Sequence, residues 1–202
     1  RDPLRNAFLI RTMEAIVDGR CFTGYAAHEL RGSIAFARTL AEVALADPAA
    51  DAATLREMGE QLVAACTRQE RLLESLLDLA RVGGPRRRET VDLASTAAES
   101  LRGQDLRGLA CTARLGAART AGDPQLVESL AANLVANAVG HNRPGGRVEL
   151  ATATAEGRAV LTVSNTGPVV QAADLPRLFQ PFERLGSRAD GAGLGLAVVQ
   201  AI

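Results

Sequence analysis

The chain has 202 residues, 47% of them hydrophobic, and its 23 basic residues balance 23 acidic ones to a formal net charge of +0. This length suits one or two domains with a real core, and the absence of net charge argues against a nucleic-acid binder held by phosphate contacts. Three widely spaced cysteines match no metal or disulfide pattern and favour a reducing compartment. No apolar run approaches the length of a membrane span, and no stretch has the pattern of a signal peptide. We therefore expect a cytoplasmic chain.

Two helices are predicted in the first part of the chain. The first runs from about Phe22 to Ala46, and Asp47-Pro48 ends it. The second runs from about Ala52 to Arg81, because apolar residues recur there at alternating steps of three and four: Leu55, Met58, Leu62, Ala65, Leu72, Leu76 and Leu79. Two helices joined by a short turn form an antiparallel hairpin, and two hairpins paired as a four-helix bundle bury their remaining apolar surface. The alternative is a monomeric hairpin packed on the rest of its chain.

The run from Gly83 to Arg88 breaks this periodicity and is predicted to be a solvated linker. A mixed pattern follows. Strands are predicted at Val91–Leu93, Leu109–Leu115, Val148–Thr152 and Val160–Ser164, with a hairpin turn at Glu156-Gly157, and helices to about Leu101, from Asp123-Pro124 to about Gly140, and after Gly191. This order predicts an α+β domain with a mainly antiparallel sheet and helices on one face.

Three groups of residues carry candidate chemistry. In Ala27-His28-Glu29-Leu30-Arg31, a neutral imidazole is a nucleophile and the adjacent carboxylate can hold its ring proton. Asn133 and Asn137 share a helix face, where amide oxygens suit a hard cation such as Mg²⁺ that bridges phosphate oxygens. Their alternative role is hydrogen bonding to neighbouring backbone. His141 and Asn142 follow at the helix end, within reach of a phosphate.

The third group is Gly191-Ala192-Gly193-Leu194-Gly195, which precedes a helix and offers backbone N–H groups to anionic oxygens. It lacks the Gly-Lys-Ser/Thr ending of a Walker loop. By itself, such a cluster is equally compatible with a flexible turn.

The order of these motifs resembles the catalytic core of sensor histidine kinases of two-component systems, over roughly Phe22 to Ile202. Besides the three groups above, the resemblance includes Asn165-Thr166-Gly167-Pro168 and Leu178-Phe179-Gln180-Pro181-Phe182. The composition and the Asn-Thr-Gly-Pro variant are most similar to actinobacterial members. The resemblance implies a dimerising helical hairpin followed by a Bergerat-type α/β sandwich, here truncated at its C-terminus. The expected domains are a lead-in at 1–21, the phosphoacceptor domain at 22–82, a linker at 83–88 and the ATP-binding domain at 89–202.

The resemblance also implies residue roles. His28 would be the phosphoacceptor and Glu29 would take its proton. The remaining roles concern the nucleotide. Asn137 would hold Mg²⁺ assisted by Asn133, and His141 and Asn142 would approach the phosphates. Asn165 would meet the adenine, and Gly167 would let the nucleotide approach the backbone. Phe179 and Phe182 would anchor a lid that leads into the glycine-rich loop of Gly191, Gly193, Leu194 and Gly195.

The implied cofactors are ATP and Mg²⁺, and the implied partners are a second copy of the chain and the receiver domain of a response regulator. No nucleic-acid partner is expected, and a membrane would be reached only through segments outside this chain. A catalytically weak or inactive dimeric scaffold is the alternative function. A serine kinase or ATPase sharing only the nucleotide domain is disfavoured, because it leaves the hairpin and His28-Glu29 unexplained.

Departures from the family pattern in two motifs bear on function. Asn165 stands where the family usually has Asp; it keeps an acceptor oxygen for adenine and adds an N–H donor. Val169 replaces the second glycine of the same motif, which argues against close backbone approach there. Gly32-Ser33 stands where the family has Thr or Asn followed by Pro, and that Thr or Asn orients the water that dephosphorylates the regulator. Gly32 has no side chain for this task, so weak phosphatase activity is predicted.

Overall fold

The computed structural model describes residues 30–32, 34–47, 50–82, 84, 87–106, 108–183 and 193–202. The predicted site residues His28, Glu29 and Gly191 therefore lie outside the described residues. The chain divides into two compact units between Arg71 and Leu72. No helix in the described ranges is both long and apolar enough to cross a membrane.

The described residues form six helices and five strands. The helices are α1 (residues 30–32 and 34–46), α2 (Ala52–Val82), α3 (Leu93–Arg102), α4 (Pro124–Gly140), α5 (Leu175–Leu178) and α6 (Gly195–Ala201). The strands are β1 (Glu89–Asp92), β2 (Ala110–Leu115), β3 (Arg119–Gly122), β4 (Arg147–Ala155) and β5 (Arg158–Asn165). The mixture of helices and sheet confirms the predicted α+β class.

The first unit contains α1 and most of α2. Asp51 precedes α2 as its cap, and the backbone N–H of Thr54 donates to the Asp51 carboxylate at 2.8 Å. This bond lowers the pKa of Asp51 below its ordinary value of 3.8. Along α2, Ala65 on the predicted apolar stripe is only 1% exposed, whereas Val63 off the stripe is 65% exposed. The predicted stripe is thus covered at Ala65, whereas Leu55 on the same stripe is 46% exposed.

The last turns of α2 belong to the second unit, together with the sheet. Leu72 and Asp78 are both buried there, and Asp78 accepts a hydrogen bond from Ser129 of α4. The division between the units therefore falls within α2, upstream of the segment 83–88 that the sequence analysis expects as a linker. The helical periodicity continues to Val82, so the sequence pattern does not indicate where α2 passes from the first unit to the second.

The second unit holds two small sheets. β1 and β3 pair antiparallel, and a three-stranded sheet has the order β2-β4-β5. β4 and β5 form the predicted hairpin, with Glu156 and Gly157 at φ values of 50° and 73° in its turn. β2 instead pairs parallel with β4, so the sheet is less antiparallel than predicted. Strand β3 was not predicted, because its four residues show no apolar alternation.

One layer of helices covers one face of the three-stranded sheet, as predicted. Helices α3 and α4 pack against the strands, and α6 packs against α4. The alternating residues Val148, Leu150 and Thr152 of β4 all point into this core and are at most 4% exposed. Val148 and Leu150 meet Ala97 of α3 and Val135 of α4. Helix α4 is thereby held between the sheet and α6, and it carries the two asparagines.

Candidate nucleotide-binding site

Helix α4 begins where the sequence predicted. Pro124 is its first residue, and the Asp123 carboxylate accepts from the backbone N–H of Gln125 at 3.0 Å. The inner face of the helix is apolar and buried through Leu126, Val127, Ala131, Val135 and Ala138. Asn133 and Asn137 lie off this buried face and are half-buried.

Asn133 partly fills the alternative role considered for the asparagines, hydrogen bonding to neighbouring backbone. Its Nδ2 donates to the backbone carbonyl of Ser129 at 2.9 Å and to the Ser129 hydroxyl at 3.2 Å. Its Oδ1 lies beside Gly195, where an added Cβ would be 2.7 Å from that oxygen. A larger residue at position 195 would therefore displace the Asn133 amide, whose oxygen faces the start of α6.

Asn137 differs from Asn133 in its hydrogen bonding. Its side chain forms no hydrogen bond within the described part of the chain, although it is half-buried. Mg²⁺ is commonly held by one or two protein oxygens together with substrate phosphates and waters. The described residues also contain no cluster of three or more His, Cys, Asp or Glu side chains able to hold a metal. The Asn137 amide oxygen has no partner among the described residues, and oxygen is the donor that a hard cation shared with phosphates prefers.

The C-terminal end of α4 contacts the end of β5. The backbone carbonyl of His141 accepts a hydrogen bond from Asn165 Nδ2 at 3.1 Å. The same carbonyl lies against Gly167, where an added Cβ would collide with it. Gly167 is therefore needed so that the loop after β5 can pass the α4 carbonyl, a reason additional to the predicted approach of a nucleotide. The His141 side chain itself is exposed.

Asn142 is saturated with hydrogen bonds inside the protein. Its Nδ2 donates to the carbonyls of Ala138 at 3.2 Å and Arg147 at 3.0 Å, and its Oδ1 accepts from Thr166 Oγ1 at 2.9 Å and Arg143 N–H at 3.0 Å. An amide offers two donor hydrogens and two acceptor lone pairs. This arrangement occupies the whole side-chain amide of Asn142, so its predicted phosphate contact gains no support.

The predicted lid anchors flank residues 184–192. Phe179 caps α5 and is half-buried. The Phe182 N–H donates to the carbonyl of Gly193 at 2.9 Å, and Phe182 adopts a φ of 66°, a left-handed conformation that costs a bulky residue about 1–2 kcal/mol. Gly193 lies so near that an added Cβ would be 2.9 Å from the Phe182 backbone. Leu194 is only 1% exposed, so its side chain is a core residue.

Three residues of this region contribute structural hydrogen bonds that the sequence motifs did not predict. Thr166 Oγ1 accepts from the N–H of Arg147 at 2.8 Å while donating to Asn142, which joins β5, β4 and α4. Asp78 and Ser129 form the bond between α2 and α4 described above. An acidic residue next to an apolar helix stripe was a weak signal for Asp78. Nothing local distinguishes Ser129 or Thr166 from a surface hydroxyl.

Two family profiles match the chain. Residues 20–85 match the His Kinase A (phospho-acceptor) domain. Residues 122–202 match the histidine kinase-, DNA gyrase B- and HSP90-like ATPase family, which supports ATP as the nucleotide. His28 lies within the first match, and all the asparagines discussed above lie within the second.

Similar proteins agree with these matches. Sensor protein CutS of Streptomyces coelicolor is 41% identical over 204 residues, which cover 96% of this chain and 49% of that protein. Among solved structures, a mycobacterial sensor histidine kinase, MprB, matches with a TM-score of 0.52 at 27% identity over 56% of this chain and 76% of that one. The histidine kinase AdeS of Acinetobacter baumannii shares the fold, with a TM-score of 0.66 at 22% identity over 86% of this chain and 84% of that one.

The chain spans about half the length of the curated relatives it matches. Both profiles occur in the order that the sequence motifs predicted, and the Streptomyces relative confirms the actinobacterial resemblance. The chain therefore belongs to the sensor histidine kinases of two-component systems.

Proposed function

We propose that the protein is an ATP-dependent protein-histidine kinase that phosphorylates its own His28 and passes the phosphoryl group to an aspartate of a response regulator. The observation that carries this proposal is the position of α4. Its asparagine face lies against Gly195, and its C-terminal carbonyl lies against Asn165 and Gly167. Three separate sequence motifs thus meet on one helix, as a single nucleotide site requires.

The chemistry proposed for His28 is an in-line displacement. An imidazole nitrogen forms a bond to the γ-phosphorus while the bond to the bridging oxygen breaks and ADP leaves. Glu29 accepts the proton that the ring loses and keeps the imidazole in a nucleophilic form. In the second step the phosphoryl group moves from nitrogen to a carboxylate oxygen of the regulator.

The residues of the second unit bind the nucleotide in this proposal. Asn137, with Asn133 beside it, would hold Mg²⁺, which neutralises charge on the phosphate oxygens when it is bound. Asn165 would accept from the adenine amino group with its Oδ1, because its Nδ2 already donates to His141. His141 would approach the phosphates from the exposed end of α4, with the backbone N–H groups around Gly193.

The domain assignment and partners are part of the same proposal. Residues 22–82 would form the phosphoacceptor domain and residues 89–202 the ATP-binding domain, in line with the two profile matches. Dimerisation through the helical hairpins would cover apolar side chains of α1 and α2 that are exposed here, such as Phe36 at 47% and Leu55 at 46%. The partner is the receiver domain of a response regulator.

The decisive experiment incubates the full-length protein with γ-labelled ATP and Mg²⁺. Because this chain has only two histidines, His28→Gln removes the proposed acceptor and leaves His141 in place. We expect acid-labile label that disappears in His28→Gln. Label that survives in His28→Gln, acid-stable phosphoserine, or no label at all in the wild-type protein would each contradict the proposal.

A further inference from the structure

Asp78 is an unusual residue of α2. It is 8% exposed, and it is the one charged side chain among the buried residues of the described part of the chain. Arg81, one turn later, places Nη1 at 3.4 Å from Asp78 Oδ1, but the arginine is itself half-exposed. A buried carboxylate is unfavourable unless its oxygens are hydrogen-bonded. The second carboxylate oxygen of Asp78 therefore needs a hydrogen-bond donor of its own.

That second oxygen, Oδ2, accepts from the hydroxyl of Ser129 on α4. A serine hydroxyl has a single hydrogen and two acceptor lone pairs. Because its hydrogen is directed to Asp78, the lone pairs of Oγ face elsewhere, and Asn133 Nδ2 donates to this oxygen at 3.2 Å. Asp78, Ser129 and Asn133 thus form a directional chain of hydrogen bonds from α2 to the asparagine face of α4.

This chain of hydrogen bonds determines whether the oxygen or the nitrogen of the Asn133 amide faces the candidate nucleotide site. The nitrogen is held by two acceptors of Ser129, the hydroxyl and the backbone carbonyl at 2.9 Å. The oxygen consequently faces Gly195 and the start of α6. An amide rotated by half a turn would present N–H hydrogens at this place, and these cannot ligate a cation.

We propose that Asp78 and Ser129 are positioning residues for nucleotide binding, which hold the Asn133 amide with its oxygen toward the start of α6. The expected effect on Mg²⁺·ATP binding rests on the proposed function, whereas the orientation of Asn133 is a property of the ligand-free protein. Without the Asp78 carboxylate, the Ser129 hydroxyl turns to the carbonyl one helical turn back, as helix serines do. Its oxygen is then displaced from the Asn133 nitrogen, which keeps only the Ser129 backbone carbonyl as an acceptor.

The test compares disruptive with conservative variants in the full-length protein. Asp78→Ala and Ser129→Ala break the hydrogen-bond chain from Asp78 to Asn133. Asp78→Asn keeps an acceptor oxygen, and Ser129→Thr keeps the hydroxyl. Ser100→Ala is the matched control, because Ser100 also bonds within its helix, to the Thr96 carbonyl at 2.9 Å, but has no link to α4 asparagines. Two quantities are measured: the ¹H–¹⁵N signals of the Asn133 side-chain amide without nucleotide, and the Kd for ATP in the presence of Mg²⁺.

We expect both alanine variants to shift the Asn133 amide signals and to weaken ATP binding about fivefold to tenfold, the effect of one lost hydrogen bond. The conservative variants and Ser100→Ala should stay within about twofold of wild type. Unchanged Asn133 signals in the alanine variants, or an equal loss in Ser100→Ala, would overturn the inference. If the wild-type protein does not bind ATP, the proposed function fails, while the amide signals still decide whether Asp78 orients Asn133.

Discussion

Asn165 Nδ2 donates to the backbone carbonyl of His141 across 3.1 Å, and this bond ties the end of β5 to the end of α4. It gives a physical reason for an asparagine where the family usually has an aspartate. A carboxylate has no hydrogen to donate and would face the carbonyl oxygen with a like partial charge. The amide satisfies the carbonyl and keeps Oδ1 as an acceptor.

Asn165→Asp is therefore expected to weaken the second unit and to lower nucleotide affinity, although it restores the common residue of the family. Because the side chain is exposed, the free energy of unfolding should fall by only about 0.5–1.5 kcal/mol. Urea unfolding and ATP titration measure the two effects. Unchanged ATP binding in Asn165→Ala would remove Asn165 from the nucleotide site.

Gly167→Ala should destabilise the same junction more strongly. An added Cβ collides with the His141 carbonyl, and the backbone shift that relieves such a clash costs about 1–3 kcal/mol. Gly140→Ala is the matched control, since a Cβ at Gly140 meets nothing within 4 Å and alanine favours the helix by up to about 1 kcal/mol. Opposite shifts in Tm are expected for the two variants, and equal shifts would contradict this account.

Asn137 and Asn142 form a second matched pair. Asn142→Ala removes four internal hydrogen bonds and should cost about 1–3 kcal/mol of unfolding free energy. Asn137→Ala removes none within the described residues, so its Tm should stay near that of wild type while Mg²⁺-dependent ATP binding is lost. Thermal unfolding with and without Mg²⁺·ATP distinguishes the two. A large fall in the Tm of ligand-free Asn137→Ala would show a structural role instead.

Gly32 lies within α1, and a Cβ added there meets nothing within 4 Å. Threonine therefore fits at this position without a steric obstacle. If a side chain one helical turn after His28 orients the hydrolytic water, Gly32→Thr should speed dephosphorylation of the phosphorylated regulator by about tenfold or more. Gly59→Thr on α2, equally unobstructed, is the control. Rapid clearance by the wild-type protein would refute the predicted weak phosphatase.

Asp51 makes the cap of α2 dependent on pH. Its pKa is lowered in the folded chain by the N–H of Thr54, so its stabilising contribution is fully present above the ordinary value of 3.8 and is lost as the pH falls through the lowered pKa. Helix content followed by circular dichroism should decline over this acidic range. Asp51→Asn, whose amide caps without titrating, should flatten this part of the curve; an unchanged curve would exclude Asp51 as its source.

The sequence by itself determined the features that depend on near neighbours along the chain. Asp123-Pro124 predicted the first residue of α4, Glu156-Gly157 predicted the hairpin turn, and the alternation at Val148, Leu150 and Thr152 predicted a half-buried strand. Each follows from local backbone preference or from the period of a helix or strand. The order of the motifs was sufficient to identify the family.

Only the tertiary structure decided which candidate side chains are free for a ligand. Asn133 and Asn137 are indistinguishable by spacing, yet Ser129 holds the first and the second has no partner among the described residues. Asn165 and His141 are 24 positions apart, and Asp78 and Ser129 are 51 apart. Such bonds depend on how α2, α4 and β5 pack, and packing brings together residues whose separation follows no sequence period.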